Sequence, residues 1–247
     1  AMFTAQALHK LGQAVGMIGT NGIGPLEQLK ENTHTTPDFL ALYRSIDQIV
    51  QFYPNALKVH IVLEVTSHAL DQARVFGLSF EVSSFLNLAR DHLDYHKTLD
   101  AYCEAKKRLF SDYHSNASVL NISDPVGQEL FEKLMLKDDR KLFPVGEVAN
   151  SHENYIKISD IRLHAQGLSF VLTYQAISYS VESPLFGHFN AYNLAVMVGN
   201  LLAINISMEH IIEILPAITL VKGRMEALAL PNGAVAVVDY AHKPNAL

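Results

Sequence analysis

Two hydrophobic rhythms divide this chain. In its first part, short apolar runs alternate with stretches whose apolar positions recur every third or fourth residue, the pattern of buried strands alternating with amphipathic helices. Phe3, Ala7, Leu8 and Leu11 share one helical face over residues 1–11, Gly12 is the stop, and a strand follows over 15–18. A second helix is predicted over 38–52 through Leu40, Tyr43, Ile46, Ile49 and Val50, then strands over 59–63 and 80–88. Next come a helix carrying Tyr102 and Lys106 four residues apart on one face, a strand over 117–121, a helix over 124–136 and a strand over 141–145. This alternation predicts an α/β fold with a mostly parallel central sheet flanked by helices.

The rhythm then changes to period two over 155–163, 168–175 and 177–181, with Gly167 in one of the short turns. It predicts a small antiparallel β subregion, 153–183, attached to the main sheet within a single domain over 1–247. Helices are predicted over 190–204 and 207–215, and two strands over 225–230 and 234–239 joined by a Pro231-Asn232-Gly233 turn.

Composition narrows the classes. With 247 residues, 49% hydrophobic and 18% charged, the chain can bury a sizeable core and is neither disordered nor fibrous. A formal net charge of −6 argues against nucleic acid as the main partner. One cysteine, Cys103, leaves no internal disulfide and suits a reducing compartment. No apolar run reaches the roughly 18 to 20 residues of a bilayer span, and residues 1–10 do not have the order of charges and apolar residues of a signal peptide. The expectation is a cytoplasmic domain.

Candidate chemistry gathers between residues 64 and 106. In an open α/β sheet ligands collect beyond the carboxyl ends of the strands. Here one strand runs into Glu64-Val65-Thr66-Ser67-His68 and another into Arg90-Asp91-His92-Leu93-Asp94-Tyr95-His96. Glu64, His68, Asp91, His92, Asp94 and His96 offer hard oxygens and imidazoles for a divalent metal, set against the plainer reading of satisfied polar residues. Lys106 on the apolar side of its helix is costly as an unpaired ammonium, unless it snorkels as Lys107 and Arg108 do. Gly19-Thr20-Asn21-Gly22-Ile23-Gly24-Pro25 has glycines enough for a phosphate loop. Ile23 and Gly24 stand where Lys and Ser or Thr are needed, so a turn is the better reading. Thr33, Thr35 and Thr36 precede Pro37-Asp38 at a helix start, where hydroxyls often cap.

Several motifs, taken in order, resemble those of the Mur ligases. They are Glu64-Val65-Thr66-Ser67-His68-Ala69-Leu70 with Arg74 downstream; 87–96 (Asn-Leu-Ala-Arg-Asp-His-Leu-Asp-Tyr-His); Ala105-Lys106; Phe189-Asn190-Ala191-Tyr192-Asn193; Gly223-Arg224-Met225-Glu226; and Asp239-Tyr240-Ala241-His242. Within that family the match is to the tripeptide synthetases, over nearly the whole chain, in their central, P-loop-like, ATP-binding domain. The resemblance implies Mg²⁺ with Glu64 and His92 as ligands, and Lys106 as a carbamylated lysine supplying a further oxygen; these three are the catalytic candidates. It implies Thr35, Thr36, Thr66, Ser67, Gln72 and Arg74 around the nucleotide-sugar peptide, with Thr66 where the family usually has Ser. It implies Asn190, Asn193, Arg224, Asp239 and His242 around ATP, with Lys243 replacing a more usual Thr.

The implied reaction is ATP-dependent ligation of a diamino acid, meso-diaminopimelate or L-lysine, to UDP-MurNAc-L-Ala-D-Glu through an acyl phosphate. The implied protein is a cytoplasmic monomer with no nucleic-acid or membrane partner. The family's Gly-Thr-Asn-Gly-Lys-Thr loop belongs before the helix over 1–11, and the family's flanking domains are not in this sequence. The expectation is therefore a domain cut at both ends and inactive alone. Rival readings are another Mur or folylpolyglutamate synthetase-like ligase, a non-catalytic nucleotide-binding relic, and a metal hydrolase built on Glu64, His68, His92 and His96.

Overall fold

The computed structural model describes residues 1–137, 139–220, 226–229 and 235–239. Helix α1 (Met2–Lys10) ends at Gly12, whose φ of +74° suits a residue without a Cβ. Strand β1 (Ala14–Gly19) turns tightly into β2 (Gly22–Pro25), with Gly19 opposite Gly22. The glycine-rich segment is thus a β-hairpin, as the turn reading held. Its second strand, too short and glycine-rich to show a period, was not predicted. Helix α2 (Phe39–Phe52) starts at Asp38, whose carboxylate accepts from Ala41 N at 3.0 Å, and returns the chain to β3 (Val59–Leu63), parallel to β1.

Strand β3 does not continue into the sheet of β4 (Phe80–Phe85). The intervening residues form a one-turn helix, α3 (Ser67–Asp71), capped by the Thr66 hydroxyl, and then turn at Ala73 and Gly77, with φ of 51° and 81°. The mostly parallel sheet that was expected is present, but the strands from β1 to β9 divide between it, ordered β4-β5-β6-β7-β8-β9, and a smaller mixed sheet, ordered β2-β1-β3. The strands of the second are β5 (Ser115–Asn121), β6 (Lys141–Gly146), β7 (Ile156–His164), β8 (Gly167–Tyr174) and β9 (Ile177–Ser183). From β4 to β7 neighbours are parallel, and from β7 to β9 antiparallel, so the period-two region is a meander on the edge of the parallel sheet.

The remaining helices are α4 (Leu93–His96), α5 (Leu99–Ser111), α6 (Pro125–Lys137), α7 (Phe189–Ala203) and α8 (Met208–Ile214). Strands β10 (Glu226–Ala229) and β11 (Val235–Val238) pair antiparallel. Arg224, His242 and the predicted 231–233 turn lie outside the described residues.

Strand β5 is buried on both sides: Val119 faces the cluster of α1 and α7, while Leu120, with Ile122 just beyond the strand, faces that of α5 and α6, so both sheet faces are covered. A third cluster, with Ile18, Leu42, Ile49, Leu70 and Val75, joins α2 and α3 to the smaller sheet. In α7, a Cβ on Gly199 would stand 2.6 Å from Val119 Cγ1, so glycine lets helix and sheet approach. Strand β4 stops at Phe85, before the predicted 88. Asn121 Nδ2 donates to Leu86 O at 2.8 Å and Leu88 N donates to Asp124 Oδ2 at 3.0 Å, so side chains satisfy that backbone instead of a ladder.

Candidate active site

Beyond the C-terminal end of β3 the chain builds one polar network. The Thr36 side chain, 1% exposed, donates its hydroxyl to Glu64 O at 2.7 Å and accepts from Thr66 N at 3.1 Å. Glu64 Oε2 accepts from both N and Oγ1 of Thr20, at 3.0 and 2.8 Å, and the Thr20 hydroxyl lies 3.1 Å from that of Thr35. The β1–β2 turn thus aims the Glu64 carboxylate. Gly19 permits this, because a Cβ there would meet Glu64 Cδ at 2.8 Å. Thr20 is a member of this network that the sequence did not single out. Its neighbouring glycines signalled only a turn, and nothing local links it to a strand end 44 residues on.

Arg74, after α3, is held at three points. Nη1 donates to Thr36 O at 2.7 Å, while Nε and Nη2 both donate to Gln72 Oε1, at 2.9 and 2.7 Å. Gln72 Nε2 in turn donates to the Tyr95 hydroxyl at 3.1 Å. Thr35, Thr36, Thr66, Gln72 and Arg74 are therefore brought together. Ser67 is buried behind them, its hydroxyl 2.9 Å from His96 Nε2.

After β4 the chain reaches His92 in the left-handed region (φ 52°), and α4 ends at Lys97 (φ 68°). This one-turn helix packs its rings on α3. His68 meets His92, Tyr95 and His96 with centroids 4.9, 4.2 and 5.4 Å apart. Burial, then the neighbouring His92, His96 and Arg74, push the His68 imidazolium below its ordinary pKa. Among the described residues, no group of three or more His, Cys, Asp and Glu is placed to hold a metal ion. The donors that suit Mg²⁺ are fewer and of another kind. Glu64 offers an oriented hard carboxylate, and His92 an exposed imidazole, with Nδ1 3.5 Å from Asp91 Oδ1.

The imidazoles lead on to Lys106. The rings of His92 and His96 lie 5.7 and 5.5 Å from that of Tyr102, and Lys106 Nζ sits over the Tyr102 ring at 5.4 Å. Burial pushes the Lys106 ammonium below its ordinary pKa. Its neighbours differ: Lys107 is tied to Glu104 and Glu129 at 3.0 and 2.8 Å, and Arg108 to Asp112 at 2.8 Å. Lys106 alone of the three sits against a ring and has its ammonium pKa lowered.

A second locus lies at the start of α7. Asn190 is buried, its Nδ2 donating to Phe186 O at 2.7 Å and its Oδ1 accepting from Asn193 Nδ2 at 2.9 Å. The Tyr192 hydroxyl donates to the Glu147 carboxylate, which pins this helix start to the end of β6; burial and that carboxylate push the Tyr192 phenol up to about 12. Asp239 is exposed just after β11.

Residues 1–200 match the Mur ligase middle domain. The chain belongs to the Mur ligase family. Two relatives are named UDP-N-acetylmuramoyl-L-alanyl-D-glutamate--2,6-diaminopimelate ligase. That of Pseudomonas syringae pv. tomato is 36% identical over 98% of this chain, and that of Xylella fastidiosa (strain 9a5c) is 39% identical over 98%. A solved structure of a UDP-N-acetylmuramoyl-L-alanyl-D-glutamate--2,6-diaminopimelate ligase superposes with a TM-score of 0.82 at 31% identity over 99% of this chain and 48% of its own. The chain spans about half the length of the curated relatives it matches, 48% in both cases. No helix among the described residues is long and apolar enough to cross a membrane.

Proposed function

We propose that this chain is the ATP-binding middle domain of a ligase that joins meso-diaminopimelate to UDP-MurNAc-L-Ala-D-Glu. The observation that carries the reading is the convergence of Thr35, Thr36, Glu64, Thr66 and Arg74 in one network at the end of β3, in a chain of this family. In the reaction a carboxylate oxygen of the D-glutamate attacks the γ-phosphorus of ATP and ADP leaves. The amine of the diamino acid then attacks the acyl carbon, an amide C–N bond forms, and phosphate departs as the amine loses a proton.

Each residue has work in that scheme. Arg74, held by Gln72 and Thr36, presents its remaining N–H groups to an anionic oxygen of the nucleotide-sugar dipeptide. Thr35 and Thr66 line the same side, and Ser67, assigned to the same substrate, supports them from behind through His96. Glu64, His92 and a carbamate on Lys106 would hold Mg²⁺, which when bound spreads the charge of the transferring phosphoryl group. Asn190 orients Asn193, whose side-chain oxygen is left for the amino group of adenine. Asp239 and, outside the described residues, Arg224 and His242 are assigned to ATP. The same reading makes the protein a cytoplasmic monomer without nucleic-acid or membrane partners.

The test is ADP release by the full-length gene product carrying this sequence. It should require Mg²⁺, UDP-MurNAc-L-Ala-D-Glu and meso-diaminopimelate together. Replacement of diaminopimelate by L-lysine at equal rate would overturn the choice of amino acid. ADP release independent of the nucleotide-sugar dipeptide would overturn the function.

A further inference from the structure

We propose that Asp71 and Tyr95 are positioning residues that set the orientation of the Gln72 amide and, through it, the pose in which Arg74 meets the nucleotide-sugar dipeptide. The inference rests on the function proposed above. The family resemblance accounts for Gln72 and Arg74 and says nothing of what stands behind them.

The relay follows from which groups can donate. Asp71 Oδ2 lies 2.7 Å from the Tyr95 hydroxyl, and a carboxylate accepts without donating. The hydroxyl hydrogen is therefore committed to Asp71, and an oxygen lone pair faces Gln72 Nε2 at 3.1 Å. Gln72 must turn its NH₂ to Tyr95 and its Oε1 the other way, where it accepts from Nε and Nη2 of Arg74 at 2.9 and 2.7 Å. Nη1 is committed to Thr36 O at 2.7 Å. Three of the five guanidinium N–H groups are then spent, and one remains on each terminal nitrogen for a ligand. A flipped Gln72 amide would point its hydrogens at the guanidinium and forfeit both bonds to Oε1.

Both ends of the relay are braced by other elements. The Tyr95 ring rests on His68 and His96, with centroids 4.2 and 4.8 Å away, and His96 Nε2 meets the buried Ser67 hydroxyl at 2.9 Å. Asp71 faces Arg108 of α5 from the other side, with Oδ1 and Nη1 3.9 Å apart. The short helix that carries His92 thus also fixes the donor geometry of Arg74.

Tyr95→Phe removes the hydroxyl and keeps the ring. In the full-length gene product, its KM and Kd for UDP-MurNAc-L-Ala-D-Glu should rise about tenfold, while kcat and the KM for ATP stay within about twofold. Asp71→Ala should behave in the same way, and Asp71→Asn, whose amide oxygen still accepts from Tyr95, should restore the wild-type values. With ¹⁵N-labelled arginine and no substrate present, the Arg74 Nε–H signal should exchange slowly in the wild type and in Asp71→Asn, and be lost in Tyr95→Phe. Persistence of that signal in Tyr95→Phe, or equal rises in KM for ATP and for the dipeptide, would overturn the relay. A wild-type protein that binds no nucleotide-sugar dipeptide would overturn the function and the substrate role of Arg74, while the Nε–H signal still decides the relay.

Discussion

The hydroxyl of Thr36 donates to the backbone carbonyl of Glu64 at 2.7 Å, so the loop before α2 is fastened to the C-terminal end of β3 by a single buried oxygen. The same oxygen accepts from Thr66 N at 3.1 Å, which couples the loop to the cap of α3 as well. Substrate-binding and metal-binding candidates therefore share one support.

Thr36→Val keeps the shape of the side chain and leaves the partly buried Glu64 carbonyl and Thr66 N–H without their partner. It should lower stability by roughly 1 to 3 kcal/mol in urea unfolding, whereas Thr36→Ser should lose less than about 1 kcal/mol. Stability lost in Thr36→Ser and kept in Thr36→Val would show that the methyl group matters and the hydroxyl does not.

Lys106 carries the second prediction, since burial against Tyr102 lowers the ammonium pKa and favours the amine. In the full-length gene product Lys106→Ala should cut ligation by more than about a hundredfold. Added bicarbonate should not help, and a short-chain carboxylic acid should restore part of the rate. Lys107→Ala, which breaks the bridges to Glu104 and Glu129, should leave ligation intact and cost at most about 1 kcal/mol of stability. Full activity in Lys106→Ala would remove the carbamate from the mechanism.

Arg74→Lys is not a conservative change here. An ammonium cannot reach Gln72 Oε1 through two N–H groups while also donating to Thr36 O and to a ligand, as the planar guanidinium does. The KM for the nucleotide-sugar dipeptide should rise about tenfold or more with little change in that for ATP. Equal effects on both substrates would assign Arg74 to the fold.

Stability should depend on pH through His152. Its Nδ1 accepts from Asn154 N at 3.2 Å, its ring meets that of Phe131, and burial lowers its pKa below the ordinary 6.5. As pH falls past that value the unfolded chain takes up the proton first, so stability is present at neutral pH and is lost as pH drops towards the folded-state pKa. Thermal or urea unfolding between about pH 7.5 and pH 5 should show a shallower decline in His152→Gln than in the wild type. Part of the slope should remain, because burial lowers the pKa of His60 too. An unchanged slope would show that His152 does not contribute.

The sequence named candidate residues for the site and gave little of the geometry that joins them. Glu64, Thr66, Arg74, His92 and Lys106 stand in motifs whose order along the chain is enough to suggest a family. That Thr20 aims Glu64, that Gln72 spends its oxygen on Arg74, and that Tyr95 stands behind Gln72 depend on contacts between segments 44, 2 and 23 residues apart in sequence. Even the shortest of these, Gln72 to Arg74, depends on the α3 turn, since side chains two apart on a regular strand or helix do not meet in this way.

By itself the sequence determined where most of the longer helices and strands lie, because their side-chain period is written locally, whereas β2, α3 and α4 are too short to show one. Only the tertiary structure decided that the strands from β1 to β9 divide between two sheets. The choice of neighbour for β3 or β4 is made by α3, by the turns at Ala73 and Gly77, and by side chains such as Asn121 and Asp124 that take up the backbone of 86–88. Those groups act across space, where hydrogen-bond partners and buried clusters are set by packing and no local period records them.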